Sequence, residues 1–253
     1  MEFSLMTSNI RFENKADGDN NWPNRKALWS KIVEENNISI LCTQEGRNIQ
    51  LLDAESQIDL DLIHDHREWI PERMYPCIFY KKSEYNILDS GDFWLSETPH
   101  LAGSKSFNSA FPRLCTWALL EKENNRFYVF NCHLDHILDE TRHEQSKVLV
   151  KQINKLNQIN LPIILAGDFN EPPDGLVRSH ITNELSLIDP VSPGSDNDQG
   201  THHKFDGNNL NTSRIDWILH DERFNTKSFK IIKKSDAGIY PSDHFPVMAI
   251  FNI

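Results

Sequence analysis

The stretch Leu161-Pro-Ile-Ile-Leu-Ala-Gly-Asp-Phe-Asn170 is a short apolar run that ends in an aspartate and an asparagine. In sheet-based enzymes, catalytic side chains lie in the loops where buried strands end. The run from Ile163 to Ala166 therefore predicts a buried strand, and Asp168 and Asn170 are candidate catalytic residues. If the chain stays extended here, these two side chains point to the same side of the strand, into one cleft.

Five further apolar runs end in polar residues of similar kinds. They supply carboxylates, carboxamides and imidazoles, without a reactive thiol or a G-x-S-x-G elbow. One such ending is more often a turn than a site, but six in one chain indicate a shared site. The five endings are Thr7-Ser-Asn9, Thr43-Gln-Glu45, Asn131-Cys-His-Leu-Asp135, Arg214-Ile-Asp216 and Ser242-Asp-His244.

A length of 253 residues, with no internal repeat and no Pro/Gly/Ser-rich linker, predicts one domain of sandwich or α/β type over residues 1–253. Many runs alternate apolar and polar residues, as half-buried antiparallel strands do, so we expect antiparallel sheets with helices packed outside. The two terminal strands should share one sheet system. The predicted helices run from Asn24 to about Asn36, from about Glu140 to Leu156 and, more briefly, after Pro173. The predicted strands are Phe3 to Thr7, Ile38 to Cys42, Cys77 to Lys81, Trp117 to Leu120, Phe127 to Cys132, Ile163 to Ala166, Trp217 to Leu219 and Val247 to Phe251.

Composition and charge limit the class of protein. Of the 253 residues, 38% are hydrophobic and 25% charged, and no apolar run reaches the ~20 residues of a transmembrane helix. The first residues lack a basic n-region and a cleavage site, so we expect a cytoplasmic protein without a membrane or protein partner. A formal charge of -11 disfavours non-specific binding to long nucleic acids. The four cysteines lie singly in apolar stretches, which indicates buried thiols.

The segment from Asp189 to Asn211 is rich in Pro, Gly, Ser, Asp and Asn. This composition predicts a long loop. Loops of such length are usually functional or disordered.

The oxygen donors among the strand endings indicate a hard cation. Glu45, Asp243 and the Asn9 carboxamide offer oxygen ligands, which Mg²⁺ and Mn²⁺ prefer, whereas zinc prefers imidazole and thiolate. Hydrolysis of a phosphate ester is the natural use of such a site, since a hard cation neutralises charge on a phosphoryl oxygen. A carboxylate such as Asp168 can take a proton from water, while imidazoles stabilise the pentacovalent transition state.

The polar residues form an ordered set, namely Asn9, Gln44-Glu45, His133, Gly167-Asp-Phe-Asn170, Arg214-Ile-Asp216 and Ser242-Asp-His-Phe-Pro246. This set resembles the endonuclease/exonuclease/phosphatase superfamily, whose members include deoxyribonuclease I, abasic-site endonucleases, deadenylases, neutral sphingomyelinases and inositol polyphosphate 5-phosphatases. The resemblance covers almost the whole chain. It implies a four-layered α/β sandwich, with two mostly antiparallel central sheets flanked by helices and the site at one rim.

The resemblance also implies how metal and water are held. Glu45 would be the principal metal ligand, with Asn9 and Asp243 close to the metal. Asp168 would orient or deprotonate the attacking water. Asn170 would help to position that water and the phosphate.

Two histidines would act on the phosphate. Asp216 would hold His244 and make it more basic, so that His244 stabilises the transition state, while His133 would bind the scissile phosphate from the other side. In deoxyribonuclease I, a glutamate on a neighbouring strand supports the first catalytic histidine, and the closest position in this chain is Met74. The carboxylates that could support His133 instead are Asp135, Asp139 and Glu72.

Finer features resemble a bacterial branch of the family. The loop Gly200-Thr-His-His-Lys-Phe205 is similar to a substrate loop of that branch, with His202 where an aromatic residue is more usual. Arg113 and His203 are accordingly the candidate substrate contacts. The other similar segments are Asn20-Asn-Trp22 with Arg25, Gly91-Asp-Phe-Trp-Leu-Ser-Glu-Thr-Pro99, Pro112-Arg113 with Thr116-Trp117, and His133-Leu-Asp-His136.

The leading hypothesis is a Mg²⁺- or Mn²⁺-dependent hydrolase of a phosphodiester or phosphomonoester, on a phosphorylated small molecule or single-stranded nucleic acid. A lipid-headgroup phosphodiesterase would need an exposed apolar hairpin, which the sequence does not show. A non-catalytic binding module would lack site residues, whereas all are present. A true nuclease, acting on single-stranded or damaged nucleic acid, is the main alternative, and its basic groove would be built from Arg113, Arg178, Lys204 and Arg214.

Overall fold

The computed structural model describes residues 1–209 and 212–253. Within these ranges the chain forms two six-stranded sheets with α-helices on their outer faces. The last two residues of the predicted 189–211 loop lie outside the described residues. The described part of that loop contains no helix, and no strand apart from an isolated bridge between His202 and His244.

The helices and strands have the following bounds. The α-helices are α1 (Trp22–Glu35), α2 (Asn48–Glu55), α3 (Asp139–Leu156) and α4 (Leu176–Leu185). The strands are β1 (Glu2–Asn9), β2 (Ile40–Gly46), β3 (Asp61–Leu62), β4 (Tyr75–Tyr80), β5 (Asn86–Trp94), β6 (Leu114–Lys122), β7 (Asn125–His133), β8 (Ile163–Asp168), β9 (Leu187–Ile188), β10 (Asp216–Asp221), β11 (Asn225–Ile231) and β12 (Val247–Asn252). None of the described helices is long and apolar enough to cross a bilayer.

The strand order is β11-β12-β1-β2-β4-β3 in the first sheet and β5-β6-β7-β8-β10-β9 in the second. Each sheet contains one parallel pair, β1 with β2 and β7 with β8, and its other neighbours are antiparallel. The parallel pairs need long crossovers, which α1 and α3 provide. The mostly antiparallel sheets are confirmed, as is the pairing of the two terminal strands, β1 and β12.

Three hydrophobic clusters separate the layers of the fold. Side chains on a strand alternate between its two faces, so Leu5 of β1 packs between the sheets while Met6 packs under α1 and α2. On the far side, α3 and α4 cover the second sheet with residues such as Ile153 and Ile181. The order helices, sheet, sheet, helices is the predicted four-layered sandwich.

Several elements are absent from the sequence-based prediction, among them β5 and α2. The first half of β5 is mostly exposed, with a bulge between Ile87 and Asp89, so its polar sequence gave no apolar run. Helix α2 has only eight residues and buries three of them, which is too short for a clear helical period. The four cysteines are buried free thiols, as predicted.

A buried ion pair joins the segment that precedes β4 to strand β5. The Arg67 side chain is 2% exposed and donates to both carboxylate oxygens of Asp92 at 2.6 Å and to Thr116 Oγ1 at 2.7 Å. Burial disfavours the charged form of Asp92, but Arg67 and His66 outweigh it and lower the pKa of this carboxyl well below its usual range.

Replacing Asp92 with asparagine should lower the free energy of unfolding by about 3 to 5 kcal/mol, because the Arg67 charge is then buried without its partner. Since the pKa of Asp92 is lower in the folded state, its stabilising effect is complete above the ordinary carboxyl pKa of about 3.9 and is lost at lower pH. Urea denaturation at neutral pH and at pH below this value measures both effects. The difference between the two proteins should shrink in acid.

The pair formed by Glu121 and Arg126 supplies the control, because the Arg126 side chain is 56% exposed. Glu121→Gln should cost less than about 1 kcal/mol. Equal losses from Asp92→Asn and Glu121→Gln would contradict the structural role assigned to the buried pair.

Candidate active site

Three neighbouring strands of the second sheet bring polar residues to the same edge. His133 at the end of β7 is the register partner of Asp168 at the end of β8, and Asp168 is the partner of Asp216 at the start of β10. The apolar residues of each strand fix this register, because a slip of one residue would turn the core side chains outward. The three site residues are therefore placed together by the packing of the sheet.

Gly167 allows β8 to approach β7 immediately before Asp168. Its φ is 148°, and a Cβ at this position would lie 2.1 Å from the carbonyl oxygen of Cys132. Any larger residue would therefore push the two strands apart where His133 and Asp168 have to meet. The glycine of the Gly167-Asp-Phe-Asn170 motif has a steric function.

The first sheet contributes Asn9 and Glu45 from the ends of β1 and β2. Asn9 is the register partner of Gln44, and the pairing of β2 with β4 shifts between Thr43 and Gly46. Glu45 lies in this irregularity with a φ of 67°, a left-handed conformation that is uncommon for glutamate. Bulges re-aim side chains beside active sites, and here the bulge directs Glu45 into the cavity.

Three side chains converge on one oxygen of Asp168. Asn9 Nδ2 donates to Asp168 Oδ2 at 2.9 Å, and His133 Nε2 lies 3.4 Å from the same oxygen. His244 Nε2 lies 3.9 Å from it. Asp168 is 1% exposed. Burial raises its pKa, and the Asp216 carboxylate raises it further, so Asp168 is a stronger base than an exposed carboxylate.

Asn170 reaches the cavity by a turn, which corrects the extended chain assumed from the sequence. Its φ is 52°, and its backbone N–H donates to Asp168 Oδ1 at 3.0 Å. Its side chain donates to the Leu134 carbonyl at 3.1 Å. Asp168 and Asn170 still line the same cavity, because the aspartate closes the turn that brings the asparagine back.

His244 forms a buried pair with Asp216. Its Nδ1 lies 2.9 Å from Asp216 Oδ2, and both side chains are almost fully buried. Burial works against the imidazolium, but the carboxylates of Asp216 and Asp168 outweigh it and raise the pKa of His244 well above its ordinary value. The surroundings of His244 therefore favour its imidazolium form beside Asp168.

His133 is supported by Arg113, which the sequence analysis assigned as a substrate contact and not as a partner of His133. Arg113 Nη1 lies 2.9 Å from His133 Nδ1, and Arg113 Nη2 lies 3.3 Å from His136 Nδ1. The predicted partner Asp135 instead accepts backbone N–H groups, among them that of Ile137 at 2.8 Å. Burial and the Arg113 charge lower the pKa of His133 well below its ordinary value.

Glu45 and Asp243 lie on the same wall of the cavity, with the Arg11 guanidinium between them. Arg11 is 3.9 Å from each carboxylate, and it pairs more closely with Asp17 at 3.1 Å. His202 Nε2 lies 4.0 Å from Asp243. The two carboxylates thus already share one cation, and their oxygens suit a hard metal ion.

Two clusters of carboxylate and imidazole groups in the described residues are compact enough to hold a metal ion. Both contain His244, and neither contains Glu45. The clusters are His202 with Asp243 and His244, and Asp168 with Asp216 and His244.

A buried arginine holds the loops around this wall. Arg25 donates to the carbonyls of Ile10 at 2.6 Å, Arg11 at 2.5 Å and Pro241 at 2.9 Å. It also donates to the Asn20 carbonyl at 2.8 Å. The Asn20-Asn-Trp22 and Arg25 pattern of the sequence is therefore a scaffold, which positions Arg11 and the loop that carries Asp243.

The cavity has a volume of about 510 Å³. Seven of the predicted site residues line it, and these are Glu45, Arg113, His133, Asp168, Asn170, Asp243 and His244. Asn9 and Asp216 lie behind this wall and contact Asp168 and His244 respectively. Arg11, His136 and His202 also line the cavity although the sequence reasoning did not assign them a role in the site. Arg11 follows Asn9 by two residues, and this proximity could have identified Arg11 as a residue of the site.

The prediction of His203 as a substrate contact is not supported by its position. His203 is 1% exposed, its ring stacks on Phe245 at 3.9 Å, and its Nδ1 accepts the Gly207 N–H at 3.2 Å. The cavity wall is formed by His202, whose ring centroid lies 4.6 Å from that of His244. Consecutive side chains of this bridged segment point in opposite directions, so only one histidine can face the cavity.

The basic groove expected for a nuclease does not form from the four predicted residues. Arg214 has a 1% exposed side chain and pairs with Asp189 at 2.8 Å, and Arg178 pairs with the same aspartate at 3.2 Å. Arg113 is buried against two histidines. Only Lys204 stays exposed.

Comparisons with known proteins agree with this fold. Residues 6–244 match the model of the Endonuclease/Exonuclease/phosphatase family. A search of curated proteins found no match. Among solved structures, a mannosyl-6-phosphatase from Bacteroides thetaiotaomicron is 27% identical with a TM-score of 0.89, covering 99% of this chain and 100% of its own.

Two further structures are similar over their full length. An endonuclease/exonuclease/phosphatase from Bacteroides vulgatus is 25% identical with a TM-score of 0.90, covering 100% of this chain and 99% of its own. A conserved protein of unknown function from Enterococcus faecalis is 27% identical with a TM-score of 0.87, covering 98% and 99%. The match over residues 6–244 shows that the chain belongs to the endonuclease/exonuclease/phosphatase family.

Proposed function

We propose that the protein is a divalent-metal-dependent phosphoesterase that hydrolyses a phosphomonoester of a small polar molecule by attack of water at phosphorus. The observation that carries this proposal is the convergence of Asn9, His133 and His244 on Asp168 Oδ2. This oxygen is buried, has a raised proton affinity and faces the cavity. Such an oxygen is suited to accept a proton from water.

The roles of the side chains follow from their positions. Asp168 takes the proton of the attacking water, and Asn9 holds the carboxylate in place through its amide. His244, kept charged by Asp216, stabilises the negative charge that develops on the phosphoryl oxygens. His133 contacts the phosphate from the other side of Asp168.

Glu45 and Asp243 would hold the metal ion, with the Asn9 carboxamide close to it. Their oxygen atoms suit Mg²⁺ or Mn²⁺, and the shared contact of Glu45 and Asp243 with Arg11 shows that this wall accommodates a positive charge. When bound, a divalent ion neutralises phosphoryl charge and acts as a Lewis acid.

Three observations favour a small phosphomonoester over a polynucleotide. A cavity of about 510 Å³ is the size of a small-molecule site. The chain carries a charge of -11, and two of the four residues of its predicted basic groove, Arg178 and Arg214, pair with Asp189. The Bacteroides thetaiotaomicron protein, which is similar over its whole length, is described as a mannosyl-6-phosphatase. A hexose phosphate is therefore the first substrate to test.

A panel of substrates with Mg²⁺ or Mn²⁺ tests the proposal. It contains hexose 6-phosphates, inositol phosphates, nucleotides, single-stranded oligonucleotides and a generic diester, and release of phosphate or cleavage is followed. We expect the highest kcat/KM for a small monoester. Preferential cleavage of oligonucleotides would favour the nuclease alternative, and inactivity on all of them with either metal would contradict the proposal.

Removal of metal should abolish turnover, and Mg²⁺ or Mn²⁺ should restore it. In the absence of substrate, saturation with the ion at 100 times its Kd should stabilise the fold by about 2.7 kcal/mol. The bound ion should therefore raise the Tm of the wild-type protein. Glu45→Gln should greatly reduce this rise. Glu72→Gln is the matched control, because Glu72 lines the same cavity but is 82% exposed and pairs with Arg47. Turnover that survives exhaustive chelation would exclude the metal mechanism.

A further inference from the structure

Arg113 lies between two histidines that line the cavity. Its Nη1 is 2.9 Å from His133 Nδ1, and its Nη2 is 3.3 Å from His136 Nδ1. Arg113 is buried, and its guanidinium carbon lies 5.9 Å from the centroid of the Phe111 ring. Since Phe111 also stacks on His136 at 5.7 Å, the arginine is fixed from two sides.

The chemistry of arginine determines which nitrogen of His133 carries the hydrogen. A guanidinium has five N–H donors, no acceptor, and is not deprotonated in proteins. A short contact between Arg113 Nη1 and His133 Nδ1 is therefore a hydrogen bond only if Nδ1 is the acceptor. In a neutral imidazole the hydrogen is then on Nε2, the nitrogen that lies 3.4 Å from Asp168 Oδ2.

The three carboxylates that could reverse this arrangement are engaged elsewhere. Asp135 accepts the N–H groups of Ala110 and Ile137, each at 2.8 Å. Asp139 pairs with Arg142, and Glu72 pairs with Arg47 at 3.2 Å. Met74, which stands where deoxyribonuclease I was expected to place its glutamate, has no acceptor of comparable strength.

We propose that Arg113 is a positioning residue that locks His133 in the Nε2–H tautomer, so that His133 serves the phosphate as a neutral hydrogen-bond donor and not as an acid. This role rests on the proposed phosphoesterase function. Burial and the Arg113 charge both lower the pKa of His133, in agreement with a neutral ring.

The two histidines beside Asp168 have partners of opposite charge. His244 directs Nδ1 to the Asp216 carboxylate at 2.9 Å, so Nδ1 is its donor and its partner is an anion. His133 directs Nδ1 to the Arg113 guanidinium at 2.9 Å, so Nδ1 is its acceptor and its partner is a cation. This arrangement leaves the hydrogen of His133 on Nε2, where it can be donated to the phosphate.

Substitutions of His133 show whether this residue acts as a hydrogen-bond donor or as a general acid. Glutamine places an amide N–H near the position of Nε2, asparagine places its amide near Nδ1, and alanine removes both. If His133 is only a donor, His133→Gln should keep kcat within about tenfold of wild type, whereas asparagine and alanine should lose ~10² or more, as for one lost donor to a developing oxyanion. The pH profile of kcat should be the same for wild type and His133→Gln. Equal losses in all three variants, or loss of a limb of the pH profile in His133→Gln, would overturn the proposal.

A direct measurement in the substrate-free protein tests the tautomer without relying on activity. Imidazole ¹⁵N NMR of histidine-labelled protein should show His133, assigned by its absence in His133→Gln, as the neutral Nε2–H form at neutral pH. Arg113→Met should produce a mixture of tautomers, and Arg113→Lys, which keeps a donor, should restore the Nε2–H form. A wild-type signal of the Nδ1–H tautomer or of an imidazolium would refute the proposal even if the enzyme hydrolyses phosphomonoesters. Conversely, an Nε2–H signal in a protein that hydrolyses no phosphate ester would leave the tautomer in place and refute the proposed function alone.

Discussion

Asp168→Asn is expected to lower kcat by ~10² to 10⁴, the range for loss of a general base. Asparagine keeps the size of the side chain and can still contact Asn9, but its amide does not accept a proton from water. The change removes the base at the point where His133 and His244 converge. Steady-state kinetics with saturating metal on the best substrate of the panel measures the effect.

The same variant should retain or raise the stability of the metal-free fold. Burial and the Asp216 carboxylate raise the pKa of Asp168, so its ionised form is less favourable in the folded protein than in the unfolded chain. Removing that charge relieves the repulsion, and the Tm of Asp168→Asn should be no lower than that of wild type. Active sites commonly trade stability for function in this way.

Asp221→Asn is the matched control for this experiment. Asp221 lies at the other end of β10 from Asp216 and pairs with Arg223 on the surface at 2.6 Å. The same chemical change there should leave kcat within a factor of about two, as expected for a substitution away from the site. A wild-type rate in Asp168→Asn, or an equal loss in Asp221→Asn, would contradict the role of Asp168.

The strand ends of the second sheet could be predicted from the sequence because their determinants are local. An apolar run such as Ile163 to Ala166 has to be buried, so the polar residues after it are carried to the edge of the sheet. Burial of these runs is consistent with the observed registers of His133 with Asp168 and of Asp168 with Asp216. This explains why residues far apart in the chain, such as His133 and Asp168, could be expected to lie together, as they do in the cavity.

Side-chain partners could not be predicted in the same way, since they depend on tertiary packing. Arg113 immediately precedes β6, His133 ends β7, and the two residues are 20 positions apart. The register of β6 with β7, which brings them together, is known only from the fold. The choice between His202 and His203 depended on the direction of one side chain in a loop without periodicity. The positive φ angles of Glu45 and Asn170 could not be predicted either, because the pattern of apolar residues carries no information about them. The region of the site could therefore be predicted from the sequence, whereas the contacts between its side chains are known only from the structure.

His244→Ala is expected to reduce kcat by ~10² to 10⁴, because it removes the only buried cation in direct contact range of Asp168 Oδ2 among the predicted catalytic residues. His244 owes its charge to Asp216, whose Oδ2 lies 2.9 Å from Nδ1. His220→Ala is the control for a loss of activity that results only from lost packing. His220 is also buried and lies on β10, but it bonds to the Asp221 carbonyl and Thr226, away from the cavity. That variant should lower the Tm and leave kcat nearly unchanged.

A double-mutant cycle decides whether Asp216 works through His244. If Asp216 only holds and charges the imidazole, Asp216→Asn should cost less than His244→Ala, and the double variant should be no slower than His244→Ala alone. Residues that act as one unit are non-additive in this manner. Losses that simply multiply in the double variant would mean that Asp216 acts on the reaction by itself. Its second oxygen, Oδ1, is buried without a hydrogen-bond partner in the described residues, and it would be the atom to examine in that case.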